Sequence, residues 1–215
     1  MIRRVSGAGC ARERVVELNN VTYSGPPIDD SEILARLPSN LAGLLNQING
    51  FIQYGGGLHV RGACRGPEWH SLRNAWEGEA AYWNLYPEIK QDDVPFAKDC
   101  MGDQFLLRDH VVIKLSAETG ELESLGIGLR ELFASISADP VAFLSMQPLI
   151  QYGNDGGRLE PGQLLAAFPP FCFREASEGV KLVAISTVER RLFLADLASQ
   201  IHSVPDGGTI QFKVQ

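Results

Sequence analysis

The sequence predicts an α+β fold in which a mixed, largely antiparallel sheet carries helices packed mainly on one side, followed by a strand-helix-strand extension at the C-terminal end. Three observations predict it. Ile33, Leu37, Leu41, Leu44 and Ile48 recur at three- and four-residue steps, the period of a helix face turned toward a core. Gln104 to Leu125 divides into three short β-prone runs separated by tight turns. Ser186-Thr187-Val188-Glu189 has the spacing of a capping box and lies between the strand-like runs Val180 to Ile185 and Thr209 to Val214.

Residues 1–28 carry mixed charge and end in Ser24-Gly25-Pro26-Pro27, a loosely held arm closed by a turn. From Asp29 the helical period begins, and Pro38 divides it, so a second helix starts near Pro38 and runs to Asn49-Gly50, where glycine supplies a left-handed cap. Phe51 to Tyr54, a Gly55-Gly56-Gly57 break and Leu58 to Arg61 follow, the last with Leu58 and Val60 inward. Trp69, Leu72, Trp76, Ala80 and Trp83 step by three and four, which predicts one helix from Pro67 that stops by Pro87 and carries all three tryptophans on one stripe.

Gln104 to Arg108, Val111 to Leu115 and Glu121 to Leu125 form an antiparallel meander through Asp109-His110 and Ser116 to Gly120. Leu129, Leu132, Phe133 and Ile136 mark a further helix, and Asp139-Pro140 a cap with proline at the first helical position. Gly153, Gly156 and Gly157 place a break at Gln151 to Gly157, which separates residues 29–150, the main domain, from an extension over 151–215 that packs on it. The extension holds a short helix after Pro161, the stiff Phe168-Pro169-Pro170-Phe171 and the strand-helix-strand unit, with Ser186 as helix cap and Glu189 reaching back.

The chain has 215 residues, a net charge of -7 and 45% hydrophobic residues. Such a chain buries a core unaided, and fibrous, collagenous and wholly disordered classes are excluded. The acidic balance argues against nucleic acid or an anionic bilayer as main partner. Cys10, Cys64, Cys100 and Cys172 match neither a zinc ribbon nor a CxxC pair. No window reaches the run of roughly 20 apolar residues needed to cross a bilayer, so the expectation is a cytoplasmic protein with reduced thiols.

The helix ending in Asn49-Gly50, the tryptophan segment and above all Val94-Pro95-Phe96-Ala97-Lys98-Asp99-Cys100-Met101-Gly102-Asp103-Gln104-Phe105 resemble the SUKH family, which includes bacterial immunity proteins and fungal regulators of cell-wall glucan synthesis. The resemblance continues through Lys114 to Glu121 and Leu129 to Phe133 and covers roughly residues 30–137. It implies an α+β fold for the domain over 29–150, no cofactor and no catalytic residue, and for bacterial members the capture of a cognate toxin. The signature also has a structural account. Pro95 directs the chain, Phe96 is an apolar anchor, Gly102 permits the turn, and Asp103 bonds N–H groups of that turn.

Other chemistry is weakly marked. His59, Cys64, Glu68 and His70 are close in sequence, but their donors span a strand end, a loop and a helix start, so no metal site is expected. Tyr54 to Leu58 lacks the Gly-Lys-Ser that a phosphate loop needs. Asp29-Asp30 and Asp92-Asp93 are read as solvated turn acids or a partner surface. Aromatic anchors ringed by acids are typical of binding hot spots, and Glu68, Trp69, Glu77, Tyr82, Tyr86, Asp92 and Asp93 form the candidate contact set for a basic partner. The expected function is non-enzymatic neutralisation of a toxin; the alternatives are a regulatory scaffold without a toxin, and a thiol-dependent hydrolase using Cys64 with His59 or His70.

Overall fold

The computed structural model describes residues 18–202 and Val204. The first part of the arm, with Cys10, and the strand expected over Thr209 to Val214 lie outside the described residues.

The chain folds as α+β around a seven-stranded antiparallel meander, β1 to β7 in sequence order. β1 (Val21–Ser24) is the first correction, because it lies in the expected arm and pairs with β2 (Phe51–Gln53). Its Val-Thr-Tyr run is β-branched and aromatic, the residue types that fit a pleated edge. Between them, α1 (Ser31–Arg36) is capped by the Asp30 carboxylate, which accepts the Ile33 N–H at 3.2 Å. It ends at Leu37, which takes the extended conformation imposed before proline. Pro38 is the cap residue of α2 (Ser39–Gln47), one position earlier than the first helical site.

β3 (Leu58–Val60) follows the glycine break, and then the predicted tryptophan helix fails. The chain forms α3 (Leu72–Trp76), capped by Ser71, leaves helical geometry at Glu77, turns through Gly78 at φ +84°, and re-enters a helix in α4 (Tyr82–Leu85). Two short helices therefore carry Trp76 and Trp83, and Trp69 stands in the loop before them. The spacing is helical, but Gly78 is a poor helix-interior residue and takes a left-handed φ that ends the helix.

β4 (Val94–Asp99), β5 (Gln104–Arg108), β6 (Val111–Leu115) and β7 (Leu122–Ser124) complete the sheet. Asp109 and His110 join β5 to β6 with φ of +48° and +69°, the twist-matched two-residue hairpin turn. α5 (Leu129–Ala138) leads to Asp139, whose carboxylate caps α6 (Pro140–Phe143) through the Ala142 N–H at 3.0 Å.

Ile33, Leu41, Leu44 and Leu45 of α1 and α2 and Leu132, Phe133 and Ile136 of α5 cover Phe51, Leu58, Phe105, Leu107 and Val112 of the sheet. Each such fully buried side chain contributes roughly 1.5–3 kcal/mol. The other face is covered too: Leu106, Ile113 and Leu115 pack on Tyr82 and Tyr86 and on Ala195 and Ala198 of α8 (Thr187–His202).

α7 (Gln147–Asn154) runs through the expected boundary at residue 150, so the break falls at the turn after Asn154. The helix expected after Pro161 is instead β8 (Gln163–Phe168), paired antiparallel with β9 (Lys181–Ser186). A short continuous apolar run such as Leu164 to Ala167 fits either structure, and burial beside a partner strand decides. Leu165 N–H donates to Cys100 O at 2.8 Å, which joins this hairpin to the end of β4. Ser186 Oγ accepts the Val188 N–H at 3.3 Å at the start of α8.

Candidate functional site

The region from Glu68 to Asp93 divides into two places. One is a polar cluster beneath α8. His59 and Lys98 face each other across β3 and β4, so they share a sheet face, and Arg61 follows one pleat later. Arg61 Nη1 donates to Pro95 O at 2.6 Å and its Nη2 to Gln104 Oε1 at 2.6 Å, while its guanidinium lies 5.3 Å from the Tyr82 ring. Lys98 Nζ donates to Trp69 O at 3.1 Å. From α8, Arg191 Nη1 donates to Asn74 O at 3.2 Å and Nη2 to Glu68 Oε1 at 3.3 Å. Burial holds the Lys98 ammonium well below the usual lysine range and lowers Arg61 to about 10.

Beside them His70 Nε2 lies 3.1 Å from Asn49 O and its Nδ1 lies 2.8 Å from His59 Nε2. A carbonyl only accepts, so His70 carries its proton on Nε2, and His59 donates from Nε2 to His70 Nδ1. Both rings are neutral in this chain of bonds. Burial, with Lys98 and the partner ring close by, pushes His59 well below its ordinary value, and burial takes His70 down to about 4.

This arrangement does not present Cys64 as an activated thiol. Cys64 is buried, its Sγ lies 3.8 Å from Gly62 O, and burial pushes its thiol up to about 11. Both candidate bases are bonded elsewhere. Among the described residues no group of three or more His, Cys, Asp or Glu could hold a metal ion.

The second place is an open groove of about 710 Å³ lined by Arg36, Trp76, Asp92, Arg108, Asp109 and His110. Trp76 donates Nε1–H to Gln91 O at 3.0 Å, and the Arg36 guanidinium lies 4.4 Å over its ring. Both groove arginines are already paired. Arg36 bonds Glu77, and Arg108 bonds Asp93 through Nε at 2.7 Å and Nη2 at 2.6 Å. Asp92 and Asp109 are exposed, and among the described residues neither is in an ion pair.

The predicted contact set is thereby corrected. Tyr82, Tyr86 and Asp93 are 3%, 2% and 2% exposed and offer no surface to a partner. Tyr86 is spent inside, with its hydroxyl donating to Ala117 O at 3.0 Å. Glu77 is half-buried between Arg36 and Arg73, and Trp69 is half-buried among Tyr23, His59 and His70. Glu68 and Asp92 are exposed but belong to different places, Glu68 beside Arg191 and Asp92 on the groove. Asp30, read as half of a solvated pair, is fully buried.

The signature residues are structural. Pro95 lies at a bulge between β4 and β5, where a missing N–H is tolerated, and Phe96 is in the main core. Gly102 turns at φ +105°. Asp99, not Asp103, bonds the turn: its Oδ1 accepts from Met101, Gly102 and Asp103 N–H at 2.9, 3.0 and 3.0 Å. Burial and the neighbouring Asp103 still push Asp99 up, to about 8. Asp103 reaches across instead, accepting from Ala117 N–H at 2.9 Å and pairing with Lys114 at 3.1 Å.

No family model, curated protein or solved structure matches the chain. The sequence reading missed Arg61, Lys98 and Arg191 altogether. The signal for them was Leu58-His59-Val60-Arg61, whose alternation puts His59 and Arg61 on the face opposite Leu58 and Val60. That face reads as solvated unless something covers it.

Proposed function

We propose that the chain is a non-enzymatic binding protein of the immunity type, which captures a cognate basic toxin in the cytoplasm and occludes it. The observation that carries this reading is the groove over Trp76. Its two arginines are bonded to Glu77 and Asp93, while Asp92 and Asp109 stand exposed and add their charge around Arg108. The groove's free charge is negative and its volume admits side chains of a partner, so a lysine- or arginine-bearing segment is the complementary occupant. The overall charge of -7 steers such a partner in the same sense. The resemblance of Val94 to Phe105 to the SUKH signature supports immunity within the wider class of binding proteins.

The test is co-expression with the product of the adjacent reading frame. Growth is restored by the native chain and lost with Asp92→Lys/Asp109→Asn, a change on exposed side chains that keeps a residue suited to the left-handed turn at position 109 and leaves the thermal midpoint within about 2 °C. Calorimetry on the purified pair gives an affinity that falls as salt rises. Binding without rescue identifies a regulatory scaffold instead, and absence of both overturns the reading.

A further inference from the structure

We propose that the cavity between the sheet and the N-terminal end of α8 is a binding site for a single small inorganic anion of halide size. It is lined by Arg61, Glu68, Tyr82, Lys98, Thr187 and Arg191, among others, and its volume is about 10 Å³, room for one water-sized species. An organic anion or a phosphate does not fit.

Charge is the first reason. Arg61, Lys98 and Arg191 are 3%, 1% and 8% exposed. Among the described residues their ion pairs amount to one, Arg191 with Glu68, whose side chain is 54% exposed. The Asp99 carboxylate next to Lys98 is engaged with the N–H groups of its own turn. Two guanidiniums and Lys98, whose charged form burial disfavours, face one solvated carboxylate, and a counter-ion at their centre offsets the cost of their charge.

Unused donors are the second. Thr187 Oγ1 and Arg191 Nε have no hydrogen-bond partner, although Thr187 is only 6% exposed and both residues line the cavity. Buried polar atoms are nearly always satisfied, and an anion accepts from both. The third is the helix itself. α8 has 16 residues, and Thr187 is its first, so the positive end of the helix dipole lies at the cavity.

The experiment is thermal unfolding of the full chain in sodium chloride and in sodium gluconate at equal ionic strength. The midpoint rises saturably in chloride alone, by roughly 5–10 °C at a hundredfold excess over Kd. Lys98→Met and Thr187→Val each remove the difference between the salts. Equal midpoints in the two salts overturn the proposal, as does a difference that survives Lys98→Met; if that variant does not fold, Thr187→Val decides in the same way. A crystal grown in bromide shows an anomalous peak in the cavity, and a cavity without one refutes the site.

Discussion

Arg73 donates Nε and Nη2 to Asp30 Oδ2 and Oδ1 at 2.5 and 2.7 Å, and Asp30 is 0% exposed. The same carboxylate accepts the Ile33 N–H, so one side chain caps α1 and anchors α3. Removing Asp30 loses the α1 cap and both Arg73 bonds, while Arg73, 26% exposed, keeps Glu77 and Glu32 as partners, so the cost is about 2–3 kcal/mol. Asp30→Ala is expected to lower the urea midpoint by that measure. Asp29→Ala, which loses one bond to the Arg65 N–H at an exposed site, costs about 0.5–1.5 kcal/mol. Equal losses would remove the special standing of Asp30.

Acid acts on the histidine pair before it acts on Asp30. His59 and His70 have folded pKa values below their ordinary one, His70 at about 4, so the unfolded chain takes up protons first. Stability is full above roughly pH 6.5 and falls by about 1.4 kcal/mol per pH unit for each ring as pH drops toward the folded values. Asp30, held down chiefly by its hydrogen bonds from Arg73, adds its loss only below about pH 4. Over the same window Asp99, pushed up to about 8, works in the opposite sense, so denaturant unfolding of the native chain is compared with that of His59→Gln/His70→Gln between about pH 7 and pH 5. The stability difference between the two changes with pH as the rings demand, and a difference that stays constant across the window contradicts the neutral pair.

Gly102→Ala and Gly43→Ala are expected to have opposite signs. At Gly102 the φ of +105° is strained for alanine, and a Cβ would lie 2.8 Å from Leu194 Cδ1. The cost is about 1–3 kcal/mol. Gly43 is inside α2 with nothing within 4 Å of a Cβ, and alanine there stabilises by about 0.5–1 kcal/mol. Thermal midpoints of the two variants check both.

Alkylation separates the cysteines. Cys64 and Cys100 are buried and burial raises both thiols, whereas Cys172 is exposed. Peptide mapping after brief iodoacetamide treatment of the native chain should find Cys64 and Cys100 unmodified. Under the proposed function Cys64→Ala leaves rescue unchanged; fast labelling of Cys64 supports the thiol reading instead.

The meander was legible because every signal in it is local. Asp109-His110 sets the register of β5 on β6, and alternating residues on both strands agree with it. The capped helix at Asp139 is local in the same sense, since cap and first turn are adjacent in sequence. The tryptophan helix was misjudged because a 3.6-residue period constrains which side chains share a face only if the backbone stays helical, and Gly78 ends that.

The sequence by itself determined the α+β class, the meander of β5, β6 and β7 and the acidic balance, all of which follow from neighbours in the chain. Tertiary structure alone decided which polar residues are surface and which are core. α8 lies more than eighty residues beyond Lys98 in the chain, and its packing on the second sheet face turns Arg61 and Lys98 from a solvated face into a buried cluster. Burial changes the energy of a charge far more than its chain neighbours do, and periodicity carries no information about what covers a face.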